Sequence, residues 1–285
     1  NDTYGIFIEW RRASFVDVKA MKKFIWLHDV PLANTFTKES IRSYDKIIVL
    51  SHFHRSLLPA WIPEDKIYVS SNGINLADFS GLDVIRQPKR LIYTSSYDRG
   101  LQHMLEIWPE VKSAVPDAEL HIFYGWNTFD EMALAGARDP KFKEAMLVLM
   151  NQVGVFEHGR VGHKRLAKEF AMSGFWVYPS HFEEISCISA MKAQATGCIP
   201  ICTDYAALAE TVKAGFLIHG NCSDEEVVAD FKKKLIGALT NEEESEKTRE
   251  EVKKHKEEFG WDKIAEDWHF QLFLGAPSVC SRIML

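Results

Sequence analysis

Short apolar runs rich in strand-forming residues alternate along this chain with stretches whose apolar residues recur at helical spacing. That alternation is the pattern of parallel sheets covered by helices, and it predicts an α/β fold. In the first 75 residues, strands are expected at 5–9, 23–27, 46–50 and 66–70, with helices between them. The alternation restarts at Arg90 with RLIYTSSY and AELHIFYGW. A long helical pattern from 130 to 152 follows, and then VGVFEHGRVG at 153–162.

The stretch FWVYPSHFEEISCISAMKAQATGCIPICT, 175–203, carries the most information. A strand-like run at 175–179 ends in a polar loop holding Glu183 and Glu184; an Ala-rich helical segment and a second apolar run, 198–202, come next. Where a strand of an open parallel sheet hands its loop to a helix start, free N–H groups and the positive helix end favour an anion. A carboxylate beside them can accept hydrogen bonds from sugar hydroxyls.

Asn72-Gly73 is a strong turn signal, and the weakly periodic stretch 76–89 reads as a linker. The expected division is 1–75, 76–260 and a last segment 261–285 containing the helical pattern WDKIAEDWHFQLF. The charged stretch 241–258 reads as a solvated helix.

Composition narrows the function. A chain of 285 residues suffices for one large or two ordinary domains. With 34 basic against 40 acidic residues, and the basic ones scattered, there is no electrostatic footprint for nucleic acid. No apolar run approaches the ~20 residues needed to cross a bilayer, and the first residues lack the regions of a signal peptide. A cytoplasmic location is expected. The five cysteines, 187, 198, 202, 222 and 280, are odd in number and mostly embedded in apolar patterns, so reduced core thiols are expected. In that setting Asn221-Cys222-Ser223 reads as a chance glycosylation sequon. His158 and His163 have no third ligand at metal-binding spacing. The D-x-D, P-loop, dinucleotide, nucleophile-elbow and H-E-x-x-H motifs are all absent from the sequence.

The frame Glu184-Ile-Ser-Cys-Ile-Ser-Ala-Met-Lys192, continued by Ala-Gln-Ala-Thr-Gly197-Cys-Ile-Pro200, resembles the family 4 glycosyltransferases. These are retaining enzymes of the GT-B fold, with a Glu, seven residues, Glu signature before an A-x-A-x-G-x-P-like turn. The resemblance runs from about residue 24 to about 268 and includes SNGIN at 71–75 and EHGRVG at 157–162. It implies two Rossmann-like doubly wound domains facing a cleft. Residues 1–75 would be the C-terminal portion of the acceptor-side domain, its first strands either missing from this sequence or borrowed from elsewhere, and that N-terminal part is where a peripheral membrane contact would be made. Residues 76–260 would bind the donor, and the last helix would cross back to the first domain.

The resemblance also implies roles for particular residues. Glu184 would accept hydrogen bonds from donor-sugar hydroxyls, while the N–H groups of Ile185, Ser186 and Cys187 meet the diphosphate. In the loop 94–100, Arg99 matches the family's phosphate-gripping Lys, and Ser96 falls where the family tends to have Arg. Gly125 would let the backbone approach the nucleotide, a plain turn being the alternative. Arg160 and Val161 lie in the segment whose backbone reads the base edge. Lys192 replaces the Glu that holds the ribose hydroxyls. His28 matches a cleft-lining His near the donor sugar, and a His hydrogen-bonded at a strand end is the competing reading. The implied reaction moves a hexose-type sugar from a nucleotide diphosphate donor to a glycan or lipid-linked acceptor, with no metal and no other cofactor. The short first domain and Lys192 keep a second reading open, a non-catalytic nucleotide-sugar-binding module.

Overall fold

The computed structural model describes residues 4–11, 18–32 and 35–275. The chain divides into two compact units, one of residues 1–74 and 258–285 and the other of residues 75–257.

The first unit holds a parallel sheet of β1 (Tyr4–Arg11), β2 (Ala20–Leu27), β3 (Lys46–Val49) and β4 (Ile67–Val69), in that order. Alternate residues bury opposite faces, as parallel sheets require. Ile25, Leu27, Ile47 and Val49 pack with Phe36, Ile41 and Tyr44, whereas Phe24 and Ile48 pack with Leu272 and Trp268. Trp268 belongs to the returning helix Trp261–Trp268 and donates from Nε1 to Ser70 Oγ at 2.6 Å. The longer helices expected between the strands are replaced by 3-10 turns at Ser40–Ser43 and Glu64–Lys66 and by the short α1 (His52–Ser56). Pro31, Pro59 and Pro63 interrupt these connections, and proline inside a helix removes a hydrogen bond and clashes with the preceding turn. The connection 12–17 lies outside the described residues. On the edge strand β1, Tyr4, Ile6, Ile8 and Trp10 share one face and are 41% to 61% exposed.

The second unit runs β5 (Gln87–Tyr93), α2 (Leu101–Ala114), β6 (Glu119–Ile122), α3 (Asn127–Leu134), α4 (Pro140–Met150), β7 (Val155–Glu157), α5 (His163–Met172) and β8 (Ser173–Tyr178). It continues with α6 (Ile188–Ala195), β9 (Ile199–Thr203), α7 (Leu208–Thr211), β10 (Phe216–Ile218), α8 (Glu225–Thr240) and α9 (Glu242–Lys254). All strands are parallel, in the order β10-β9-β8-β5-β6-β7. The chain therefore builds outward from β5 to β7, then returns to the other side of β5 with β8. β8 sits between β5 and β9, and all six of its residues are buried. Pro200 interrupts the N–H row of β9, but β10 pairs only from Ile201 onward, so the proline lies where β9 has a single neighbour.

Two expectations about the helices need correction. The helical pattern 130–152 is two helices, because Asp139 accepts from Lys141 N at 3.0 Å and Pro140 opens a new first turn. The charged helix α9 is not solvated all round: Ser245, Arg249 and Val252 are buried. Arg249 Nη1 donates to Gly197 O at 2.6 Å, which ties the helix to the sheet. Cys187, Cys198, Cys202 and Cys222 are free, buried thiols whose pKa burial raises, while Cys280 lies outside the described residues. Among the described residues no helix is long and apolar enough to cross a membrane.

Candidate functional site

Ligands in open α/β sheets bind beyond the carboxyl ends of the strands, at the point where strand order reverses. Here that point lies between β5 and β8. The loops leaving these two strands, 94–100 and 179–187, are in direct contact. Gly100 has φ +107, and a Cβ there would lie 2.1 Å from Pro179 O, so the approach requires glycine. Across this junction Arg99 Nη1 donates to Glu184 Oε1 at 3.2 Å, joining residues 85 apart in sequence.

Glu184 is 9% exposed. Its Oε1 also accepts from Tyr178 OH at 2.7 Å, and Tyr178 OH in turn accepts from Ser95 Oγ at 3.3 Å. Burial pushes the Tyr178 hydroxyl well above its ordinary range, so it stays a donor. Burial works against the Arg99 charge, but its surroundings, the Glu184 carboxylate first and Asp98 among them, hold the guanidinium above its ordinary range. The Arg99 guanidinium carbon sits 3.7 Å from the Phe182 ring centroid, a cation–π contact that fixes its plane. Glu183, by contrast, is exposed and accepts from Tyr205 OH at 3.3 Å.

Ile185, Ser186 and Cys187 lead into α6, with Cys187 as its N-cap residue and no side-chain cap. The first N–H groups of a helix have no partner inside it. Ser96 takes part through its backbone, its carbonyl accepting from Tyr93 OH at 2.8 Å and from Arg99 N at 3.0 Å.

Beyond β6 and β7 the loops are laced together. Tyr124 N donates to Gly159 O at 3.1 Å, and Gly125 N donates to Tyr97 OH at 2.9 Å. Tyr97 OH donates to Glu157 Oε1 at 2.6 Å. A Cβ on Gly125, whose φ is +86, would lie 3.0 Å from Arg160 N. Between these loops and α6 opens a cavity of about 230 Å³ lined by Thr94, Gly125, Arg160, Val161, His163 and Lys192, among others. Burial lowers the Lys192 pKa, and Asp78 offsets only part of that. A larger cavity, about 780 Å³, lies at the opposite end of the sheet against Arg86, Lys89, Glu119 and Arg249. It is at the amino ends of the strands, where this architecture does not bind its ligand.

The structure thus brings Ser96, Arg99, Glu184, Ile185, Ser186 and Cys187 to one junction, and Gly125, Arg160, Val161 and Lys192 to the adjoining cavity. His28 belongs to the first unit, packed edge-on against Trp26 at 4.4 Å, with Nε2 buried and unpartnered and its pKa lowered by burial. His158 stacks on His121 and Phe123, with Nε2 2.9 Å from His121 Nδ1. Sequence reasoning missed Tyr178, Tyr97, Thr94 and Phe182. Tyr178 was hidden inside an apolar strand run, although its place as the last strand residue before the loop was a usable signal.

A family model described as "Glycosyl transferases group 1" matches residues 85–255. No curated protein matches the sequence. Among solved structures the chain resembles the GtfA/B complex, with a TM-score of 0.67 and 15% identity over 88% of this chain and 52% of that one. It also resembles an S. aureus TarM mutant in complex with fondaparinux, alpha-GlcNAc-glycerol and UDP, with a TM-score of 0.65 and 16% identity over 88% and 50%. Sucrose-phosphate synthase from Thermosynechococcus elongatus gives 0.66 and 16% over 96% and 75%. The chain spans about half the length of the first two. The shared fold is GT-B.

Proposed function

Because the chain belongs to the group 1 glycosyl transferases, we propose that it transfers a hexose-type sugar from a nucleotide diphosphate sugar to a glycan or lipid-linked acceptor, with retention of configuration and without a metal. The observation that carries this reading is the Arg99–Glu184 contact at the β5/β8 reversal, which sets a cation and a buried acceptor side by side next to a helix N-terminus. UDP in the TarM complex is consistent with it.

Each group has a defined task in the reaction. Arg99 donates to the diphosphate, whose charge grows as the glycosidic bond breaks, and the N–H groups leading into α6 add fixed dipoles there. Glu184 has Oε1 engaged by Tyr178 and Arg99, which leaves Oε2 for a sugar hydroxyl. Retention follows when the acceptor hydroxyl attacks the face the phosphate leaves and gives its proton to a departing phosphate oxygen. His28 is the candidate from the first unit.

Nucleotide release from UDP- and GDP-hexoses by the purified chain, with the anomer of the product read by NMR, tests the proposal. Turnover giving the retained anomer supports it; an inverted product or a strict need for added divalent metal refutes the mechanism. Lys192, which cannot accept from a ribose diol, favours the alternative of a non-catalytic binding module. Saturable donor binding without turnover would decide for that alternative.

A further inference from the structure

The cavity beside the Arg99–Glu184 junction has a charge pattern of its own. Its lining includes the cations Arg160 and Lys192 and the imidazole of His163, and no carboxylate among the described residues. Lys192 is placed there by α6, one turn after Ser189, whose Oγ donates to Thr94 O at 3.1 Å. Thr94 is 8% exposed, lines the same cavity, and its hydroxyl oxygen is buried without a partner.

A neutral ribose diol is best held by acceptors, since each hydroxyl must place its hydrogen, and a carboxylate can take two. An ammonium is donor-only, so a diol leaves this lining poorly matched. Lys192 is half-buried and Asp78 offsets only part of its desolvation, a cost that is recovered when a ligand supplies further negative charge. The depressed pKa of Lys192 agrees, because it records a desolvated ammonium that Asp78 does not fully compensate.

We propose that this cavity takes an anionic, phosphate-class group against Lys192, with Arg160 as a further donor. The inference deepens the donor-site reading and rests on it for the placement of a nucleotide nearby. The phosphate has two conceivable sources, a phosphorylated ribose on the nucleotide itself or a free phosphate held beside it.

Calorimetry on the full chain distinguishes them with three probes: UDP, uridine 3′-phosphate 5′-diphosphate, and inorganic phosphate. With a ribose phosphate as the source, the doubly phosphorylated nucleotide binds at least tenfold tighter than UDP. With free phosphate as the source, inorganic phosphate binds alone and strengthens UDP binding. In either case Lys192→Met removes the effect and Lys192→Arg retains it, with circular dichroism verifying that both variants fold. Equal or tighter binding of plain UDP, together with no phosphate effect, overturns the proposal. Phosphate binding that depends on Lys192 in a chain that binds no nucleotide supports the anion site and refutes the donor-site reading, so the two failures are separable.

Discussion

Replacing Glu184 by Gln tests the junction most directly. In the folded chain Oε1 already receives Tyr178 OH at 2.7 Å and Arg99 Nη1 at 3.2 Å. A glutamine amide in this place has only one orientation that avoids setting its NH₂ against these two donors, with its oxygen at Oε1 and its nitrogen at Oε2. The substitution therefore keeps the protein-facing acceptor and converts the ligand-facing one into a donor. A sugar hydroxyl that donated there loses a charge-assisted hydrogen bond, typically ~1.5–3 kcal/mol. At ~1.4 kcal/mol per decade, kcat/KM should fall roughly 10- to 150-fold. Affinity for the nucleoside diphosphate product, which lacks the transferred sugar, should change far less. The assay is donor turnover and product binding measured on the same preparation, with thermal unfolding as the fold check. A folded Glu184→Gln variant within about threefold of wild-type turnover would refute the sugar-hydroxyl role, because no rearrangement of the amide supplies a second acceptor.

Arg99→Ala should weaken a nucleoside diphosphate by ~1.5–3 kcal/mol while leaving the bare nucleoside nearly unchanged; equal losses by calorimetry would move Arg99 off the phosphates. Glu169→Gln should destabilise the second unit by ~3–5 kcal/mol, since it strands the Arg90 guanidinium, 5% exposed and paired to Glu169 at 2.5 Å. Urea denaturation reads this, and a loss under about 1 kcal/mol would mean that water reaches the pair. Stability of the first unit should also depend on pH through His54, whose pKa falls from 6.5 to about 4 because burial disfavours the charged ring. Its Nδ1 accepts from Leu50 N at 3.2 Å and its Nε2 lies 3.2 Å from Asp29 O, so the neutral tautomer fits and the imidazolium does not. The unfolded chain binds this proton first as pH falls. The contribution is therefore complete above about pH 6.5 and is lost towards about pH 4, by up to ~3 kcal/mol. A His54→Gln variant with the same pH slope as wild type over that window would contradict the assignment.

The α/β class, the approximate strand positions and the loop carrying Glu184 were legible in the sequence, because each is a local signal. Apolar alternation, an Asn-Gly turn and a strand-loop-helix succession are written within about ten residues. Lys192 stood out only through the family resemblance, as a Lys where the family's signature has Glu. The splitting of the 130–152 pattern was legible in principle from Asp139-Pro140, but continuous apolar periodicity masked it. Other features were not local. That Arg99 meets Glu184 depends on β8 returning to the far side of β5, a choice of strand order that periodicity does not encode. Tyr178 reads as one more apolar strand residue until the sheet places its hydroxyl on Glu184. The lining around Lys192 joins Thr94, Arg160 and His163 from three other loops and helix starts. Which segments can be strands, helices and ligand-facing loops follows from each residue's own shape and polarity and is written locally. Which loops share a wall is a property of the folded sheet, because the strand order sets which side chains can reach one another.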